Sequence, residues 1–160
     1  MWLNLPDPWV LLINIIGIPM IHLASSWAFT KMPISLFKAD QPAFRKLPGE
    51  TSTIYKRSFF IGRWKHYLPD AAPWFGGFGK RKLQSQDLDF LRRFEAETCR
   101  SEVAHWAQLL AVLSFTLWTP WPWALIIWIY ALASNAPCIL LQRHNRLRLT
   151  RLIRRHTTSG

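Results

Sequence analysis

Two long stretches of this chain lack charge entirely. No Asp, Glu, Lys or Arg lies between Asp7 and Lys31, and none lies between Glu102 and Arg143. Acids are scarce elsewhere too, at 9 against 20 Lys and Arg in 160 residues. Cysteine occurs only twice, as Cys99 and Cys138, which excludes a disulfide-stapled scaffold. No Cys/His spacing fits a zinc site, so no metal is expected. The glycine-rich "FGGFGK" lacks the GxxxxGK[ST] pattern and is not a P-loop. We read it as a flexible loop. Internal repeats and low-complexity runs are missing, so a solenoid or a disordered tail does not fit. Residues 9–30 have no basic flank before them and no small-residue cleavage site, which argues against a cleaved signal peptide.

What is present fits a membrane protein. A membrane-crossing helix needs about 20 largely apolar residues. The first uncharged stretch suits one crossing, at about 9–30. The second is 40 residues long and holds "TPWP" at Thr119–Pro122 near its middle. Two prolines so close suit a turn. This stretch therefore reads as a hairpin with crossings at about 103–118 and 123–142. The expected fold is an all-α integral membrane protein, a single domain over 1–160 with three spans, a basic segment at 31–102 and a basic tail at 143–160.

Fourteen of the cations lie in residues 31–102 and six in 143–160. Three crossings put both blocks on one side, which the positive-inside rule makes the cytoplasm. The N-terminus and the TPWP turn then face outward. Trp2, Trp9, Trp118, Trp121 and Trp123 cluster at those outer ends, as in an aromatic belt. Both cysteines fall on the reducing side, so no disulfide is expected.

Within 9–30, Asn14, Pro19 and His22 interrupt the apolar run. A polar group at that depth usually faces other helices, and His22 reads first as a packing contact. In the basic segment, Phe59, Phe60, Ile61, Trp64 and Tyr67 alternate with Lys56, Arg57, Arg63 and Lys65. That mixture suits anionic lipid headgroups better than nucleic acid in a segment tied to a bilayer at both ends. Ser85 is positioned to cap one long helix over 85–118, with Asp87 and Asp89 in its first turn. The arginines of the tail suit the anionic leaflet, at about 1 kcal/mol each.

The inner ends of the hairpin hold the candidate chemistry. Glu95, Thr98, Glu102 and His105 share an i, i+3, i+7, i+10 spacing, as do Asn135, Cys138, Gln142 and Asn145, and each set is expected on one helix face. Residues equidistant from the turn lie level, which sets His105 near Ala136 and Thr98 near Arg143. Two polar faces would then meet at the membrane boundary. His105 is the candidate general base and Glu102 its orienting carboxylate. Arg100, Arg143 and Arg146 are candidates to hold an anionic donor or a sugar. Asn135 and Gln142 are candidates to stabilise an oxyanion. The set suits acyl transfer. The plain alternative is snorkelling and mutual ion pairing at span ends. Cys138 reads as a small packing residue before a covalent acyl carrier. His66 and Asp70 form a weaker rival pair, H-x-x-x-D, with a proline inside it.

The motifs "RWKHYLPD…FGGFGKRKL", "RFEAETCRSEVAHW" and "NAPCILLQRHNR" resemble the glycosyl-4,4'-diaponeurosporenoate acyltransferase family over about residues 10–148. The resemblance implies a small integral membrane O-acyltransferase that esterifies a sugar hydroxyl of a glycosylated carotenoid or similar glycolipid. Its motifs carry over Glu97, Thr98, Arg100, Glu102, His105, Asn135, Pro137, Cys138, Gln142, Arg143, Asn145 and Arg146. Of these, Glu97, Thr98, Asn145 and the three arginines are expected in substrate binding. His144 departs from the Tyr expected there, which puts little in doubt. No cofactor is implied beyond an activated acyl donor such as acyl-CoA as co-substrate. Expected partners are membrane lipid, the donor and the lipidic glycoside, with no nucleic acid. Three spans make a small wall for two long chains, which leaves room for a homodimer or trimer. Two other classes stay open: a different group transfer onto a polyisoprenoid, such as methylation, and a non-catalytic anchor or scaffold bound to anionic lipid.

Overall fold

The computed structural model describes residues 3, 5–68, 72–79, 85 and 87–158. Among them the regular structure is helical, with no strand. The α-helices are α1 (Asp7–Lys31), α2 (Ser52–Ser58), α3 (Ile61–Trp64), α4 (Leu88–Leu113) and α5 (Trp123–Thr158). Short 3₁₀ turns fill much of the space between them.

Pro6 precedes α1 and Asp7 occupies its first turn, where the helix dipole favours an acid. Pro19 sits inside α1 without ending it. Only Val10 is buried along this helix. Trp9, Leu11, Ile15, Ile16, Met20 and Trp27 stand exposed. In water such a surface would aggregate.

The long helix expected over 85–118 starts later and stops earlier. Asp87, not Ser85, caps α4, accepting from the Asp89 and Phe90 amides at 3.1 and 3.3 Å. Ser85 accepts from the Asp87 amide at 3.0 Å, one step before the helix. A carboxylate is the better cap here because it meets two orphan amides at once. After Leu113 the chain tightens into a 3₁₀ turn over Ser114–Leu117. α5 then runs 36 residues without a break at Pro137, so the expected span and basic tail form one helix. Two described helices, α1 and α5, are long and apolar enough to cross a membrane.

α4 and α5 pack as an antiparallel hairpin, and α1 lies against α4. Leu109, Val112, Phe115, Ile127 and Ala131 form the core near the 119–122 turn, with Ile18 and Ile21 of α1 against it. Gly17 allows the close approach: a Cβ there would stand 2.9 Å from the Phe115 ring. Asn14 ties α1 to the turn, donating to Thr119 Oγ1 at 2.9 Å and accepting from Trp118 Nε1 at 3.1 Å.

The basic segment folds over the other end. Phe37 and Phe44 pack on Cys99. The stretch read as a flexible loop is anchored at Phe78, whose ring lies 5.3 Å from Phe90 and 5.4 Å from Phe94. Ile61, grouped above with residues facing lipid, is fully buried, while Phe60 and Tyr67 are exposed. Residues 80–83, which end the longer motif "FGGFGKRKL", lie outside the described residues.

Candidate active site

The polar residues at the end of the hairpin away from the 119–122 turn divide between two places. The first is a buried ion network. Glu102 accepts from Arg143 Nη1 at 3.0 Å with one oxygen and from Arg146 with the other. Glu50, from the basic segment, takes Arg143 Nε and Nη2 at 2.9 and 3.2 Å, and the Tyr55 hydroxyl also donates to it. The Arg146 guanidinium covers the Phe44 ring at 5.4 Å. Burial raises the Glu50 carboxyl, but the hydrogen bonds from Arg143, Tyr55 and the Leu47 amide outweigh it and hold it at about 2.

A second ion pair joins Arg100 to Glu97 at 2.6 Å. Arg100 also donates to the Thr30 and Met32 carbonyls at 3.2 and 3.3 Å, capping the C-terminal end of α1. Thr98 is fully buried and donates to the Glu95 carbonyl at 2.6 Å. Burial pushes the Cys99 thiol up to about 11, which keeps it protonated and poorly nucleophilic.

The second place is a cavity of about 780 Å³ between α1, the hairpin and the basic segment. His105, Gln142, Asn145, Arg100 and Cys138 line it. Leu23, Phe29, Phe94, Leu141, Leu149 and Leu152 give it an apolar wall. Glu97, Thr98, Glu102, Asn135, Arg143 and Arg146 are not among its lining.

This separation corrects two assignments. Glu102 does not orient His105, because both its oxygens serve arginines on another side of α4. Three residues turn a helix about 300°, so Glu102 and His105 sit about 60° apart. Asn135 does not offer an oxyanion donor either. Its amide nitrogen is spent on the Ala131 carbonyl at 3.0 Å and Ser134 Oγ at 3.1 Å.

Those bonds give Asn135 another role. They place its oxygen 3.2 Å from His105 Nδ1. An amide oxygen only accepts, so this contact places a proton on Nδ1. Arg100, Arg143 and Arg146 are all engaged by carboxylates.

The cavity also holds residues that the hairpin pattern did not bring forward. His22, Ser26 and Gln108 line it from α1 and α4, and His22 Nδ1 lies 3.2 Å from Gln108 Oε1. Gln108 stands three residues beyond His105, a signal the spacing contained. His66, Lys65 and Trp74 line the cavity from the basic segment. His66 packs on Tyr67 with ring centroids 4.0 Å apart. Its expected partner Asp70 lies outside the described residues. Both cysteines are free, and Cys138 Sγ lies 3.6 Å from the Ser134 carbonyl.

A model of the glycosyl-4,4'-diaponeurosporenoate acyltransferase family matches residues 25–155. The chain is 30% identical over 131 residues to the glycosyl-4,4'-diaponeurosporenoate acyltransferase of Staphylococcus haemolyticus (strain JCSC1435), covering 81% of this chain and 76% of that protein. It is also 30% identical over 127 residues to the protein of the same name from Staphylococcus aureus (strain MRSA252), covering 78% of this chain and 76% of that one. No solved structure matches it. The chain belongs to the glycosyl-4,4'-diaponeurosporenoate acyltransferase family and is an acyltransferase.

Proposed function

We propose that this acyltransferase is embedded in a membrane and moves a fatty acyl group from an activated donor to a sugar hydroxyl of a glycosylated carotenoid or similar glycolipid. The observation that carries the reading is His105, held by Asn135 at 3.2 Å and opening on a cavity with an apolar wall. It stands three residues past Glu102, the last charge of α4, which is about 5 Å along the axis. A sugar hydroxyl and a lipid carbonyl meet naturally at such a boundary.

In this reading His105 Nε2 takes the proton of the sugar hydroxyl as its oxygen attacks the acyl carbonyl carbon. The tetrahedral oxyanion lies near Gln142, a buried amide that lines the cavity. The bond from that carbon to the donor's leaving group then breaks, and the imidazolium returns the proton to that group. The apolar wall takes the acyl chain or the polyene. Asn145 lines the same cavity and suits a sugar hydroxyl.

The reading sets three crossings. α1 and α5 supply two, and the C-terminal half of α4 with its 3₁₀ extension supplies a short third. The exposed apolar surface of α1 and of α5, including Trp123, Ile126, Trp128 and Ile129, faces lipid. The cationic blocks mark the cytoplasmic side and the TPWP turn the outer side. The basic segment covers the cavity from the cytoplasm.

Mass spectrometry of lipid and pigment extracts tests this in a host that makes a glycosylated carotenoid. Three strains carry the wild type, His105→Ala at matched membrane abundance, or empty vector. An acylated glycoside found only with the wild type supports both reaction and site. Product retained by His105→Ala keeps the reaction and moves the base to His66 or His22, which line the same cavity. A new ester in none of the strains removes the assigned acceptor.

A further inference from the structure

A second pocket, of about 490 Å³, lies between α2, α3 and the inner part of α5. Lys56, Arg63, Lys65 and Arg148 line it, and no carboxylate does. Among the described residues none of these four cations stands in an ion pair. This sets them apart from Arg100, Arg143 and Arg146, whose charges are already answered. His144 also lines the pocket; it is 2% exposed, and its Nδ1 is buried without a hydrogen-bond partner. Buried polar nitrogens are normally satisfied, so this one points to a missing group.

The backbone holds the cations together at a cost. Phe60 adopts φ 49°, a left-handed conformation unfavourable for a bulky side chain. It turns the chain between α2 and α3, bringing Lys56 and Arg63 to one pocket. The Arg63 guanidinium lies over the Phe60 ring at 5.3 Å. Like charges gathered without a counter-charge repel, and an anion removes that repulsion. Lys65 and Arg148 line both this pocket and the cavity that holds His105, so the two spaces share a wall.

We propose that this second pocket binds phosphate groups of the acyl donor, while the donor's acyl carbonyl reaches the neighbouring His105 cavity. Lys56, Arg63, Lys65 and Arg148 supply several N–H donors to phosphate oxygens, and His144 closes the pocket. The assignment to the donor rests on the acyl-transfer reading above; the affinity for phosphate does not. Phosphates can arrive on a nucleotide thioester or on a phospholipid, and the chemistry at the pocket is the same.

The test uses the full chain in phosphatidylcholine nanodiscs. Lys56→Gln/Arg63→Gln changes two exposed side chains that line this pocket and not the His105 cavity. One arm titrates coenzyme A calorimetrically. The other measures retention of phosphatidylglycerol by native mass spectrometry. Weakening of coenzyme A binding by about tenfold or more in the double variant, but not in His105→Ala, supports a soluble thioester donor. The same loss for phosphatidylglycerol alone supports the pocket with a phospholipid donor. Affinity for both ligands unchanged in the double variant, or absent in the wild type, overturns the proposal. An ester assay run alongside separates the two ideas. If no ester forms while phosphate binding persists, the acyl-transfer reading fails. If ester forms at an unchanged donor KM in the double variant, the pocket assignment fails.

Discussion

The buried ion network and the His105 cavity are built from the same two helices, within about one turn of each other. They solve opposite problems. The network pairs every charge it buries: Glu102 with Arg143 and Arg146, and Glu50 with Arg143. The cavity mixes amides, imidazoles and cations along its wall and leaves volume beside them. Paired charges lock two helices and a loop together but leave nothing to meet a substrate. The imidazole of His105 is oriented by the Asn135 amide and borders that volume. Polar residues at one end of a helical hairpin therefore divide between a buried ion lock and a cavity wall, and the side of the helix decides which.

The comparison can be broken where the effect should be largest. His105→Ala should cut ester formation about 10²–10⁴-fold, with a melting temperature close to the wild type in detergent. Equal loss of rate and folded protein would make His105 part of the lock. Glu102→Gln should do the reverse. It leaves the buried Arg146 guanidinium without a carboxylate, while Arg143 keeps Glu50, a loss of about 3–5 kcal/mol. Thermal unfolding of the purified protein reads this, and specific activity per folded molecule should fall much less.

Smaller effects sharpen the division. Gly17→Leu forces side-chain atoms into the space held by the Phe115 ring. Over-packing of this kind costs about 1–3 kcal/mol. It should loosen α1 and appear as weaker crosslinking between cysteines introduced on α1 and α4. A melting temperature and crosslinking yield unchanged from wild type would show that α1 is not seated there.

The smallest predicted effect is the acid response of the network. Glu50 is held at about 2 against an ordinary 4.5. A depressed carboxyl contributes stability that is full above pH 4.5 and is lost as pH falls toward 2. Glu50→Gln should therefore flatten the fall in unfolding midpoint across that window. A fall as steep as in the wild type would place the acid sensitivity elsewhere.

Part of the site was legible from residue counting. Measuring outward from the 119–122 turn sets His105 level with residue 136, and the structure joins His105 to Asn135. The error lay in treating the polar positions of residues 95–105 of α4 as one face. At about 100° per residue, Glu95, Thr98, Glu102 and His105 spread over about 80°. That is wide enough for Glu102 to reach arginines while His105 reaches a cavity. Position along a helix axis follows from counting; the rotation that assigns each side chain a neighbour depends on how the helices pack.

The sequence alone determined the helical class, the apolar runs that lie in α1 and α5, and the turn between α4 and α5; it also read a third crossing at 103–118, where α4 is not long and apolar enough to count as one. It also determined the cationic blocks, because hydropathy and charge act locally and accumulate along the chain. Tertiary structure decided that Glu50 reaches Arg143 across 93 residues, leaving Arg143 without a free charge for a ligand. It also folded Lys65, His66 and Trp74 over the cavity and gathered Lys56, Arg63 and Arg148 beside it. Periodicity carries no information about such pairings, since they form only when distant segments meet and compete for the same few buried charges.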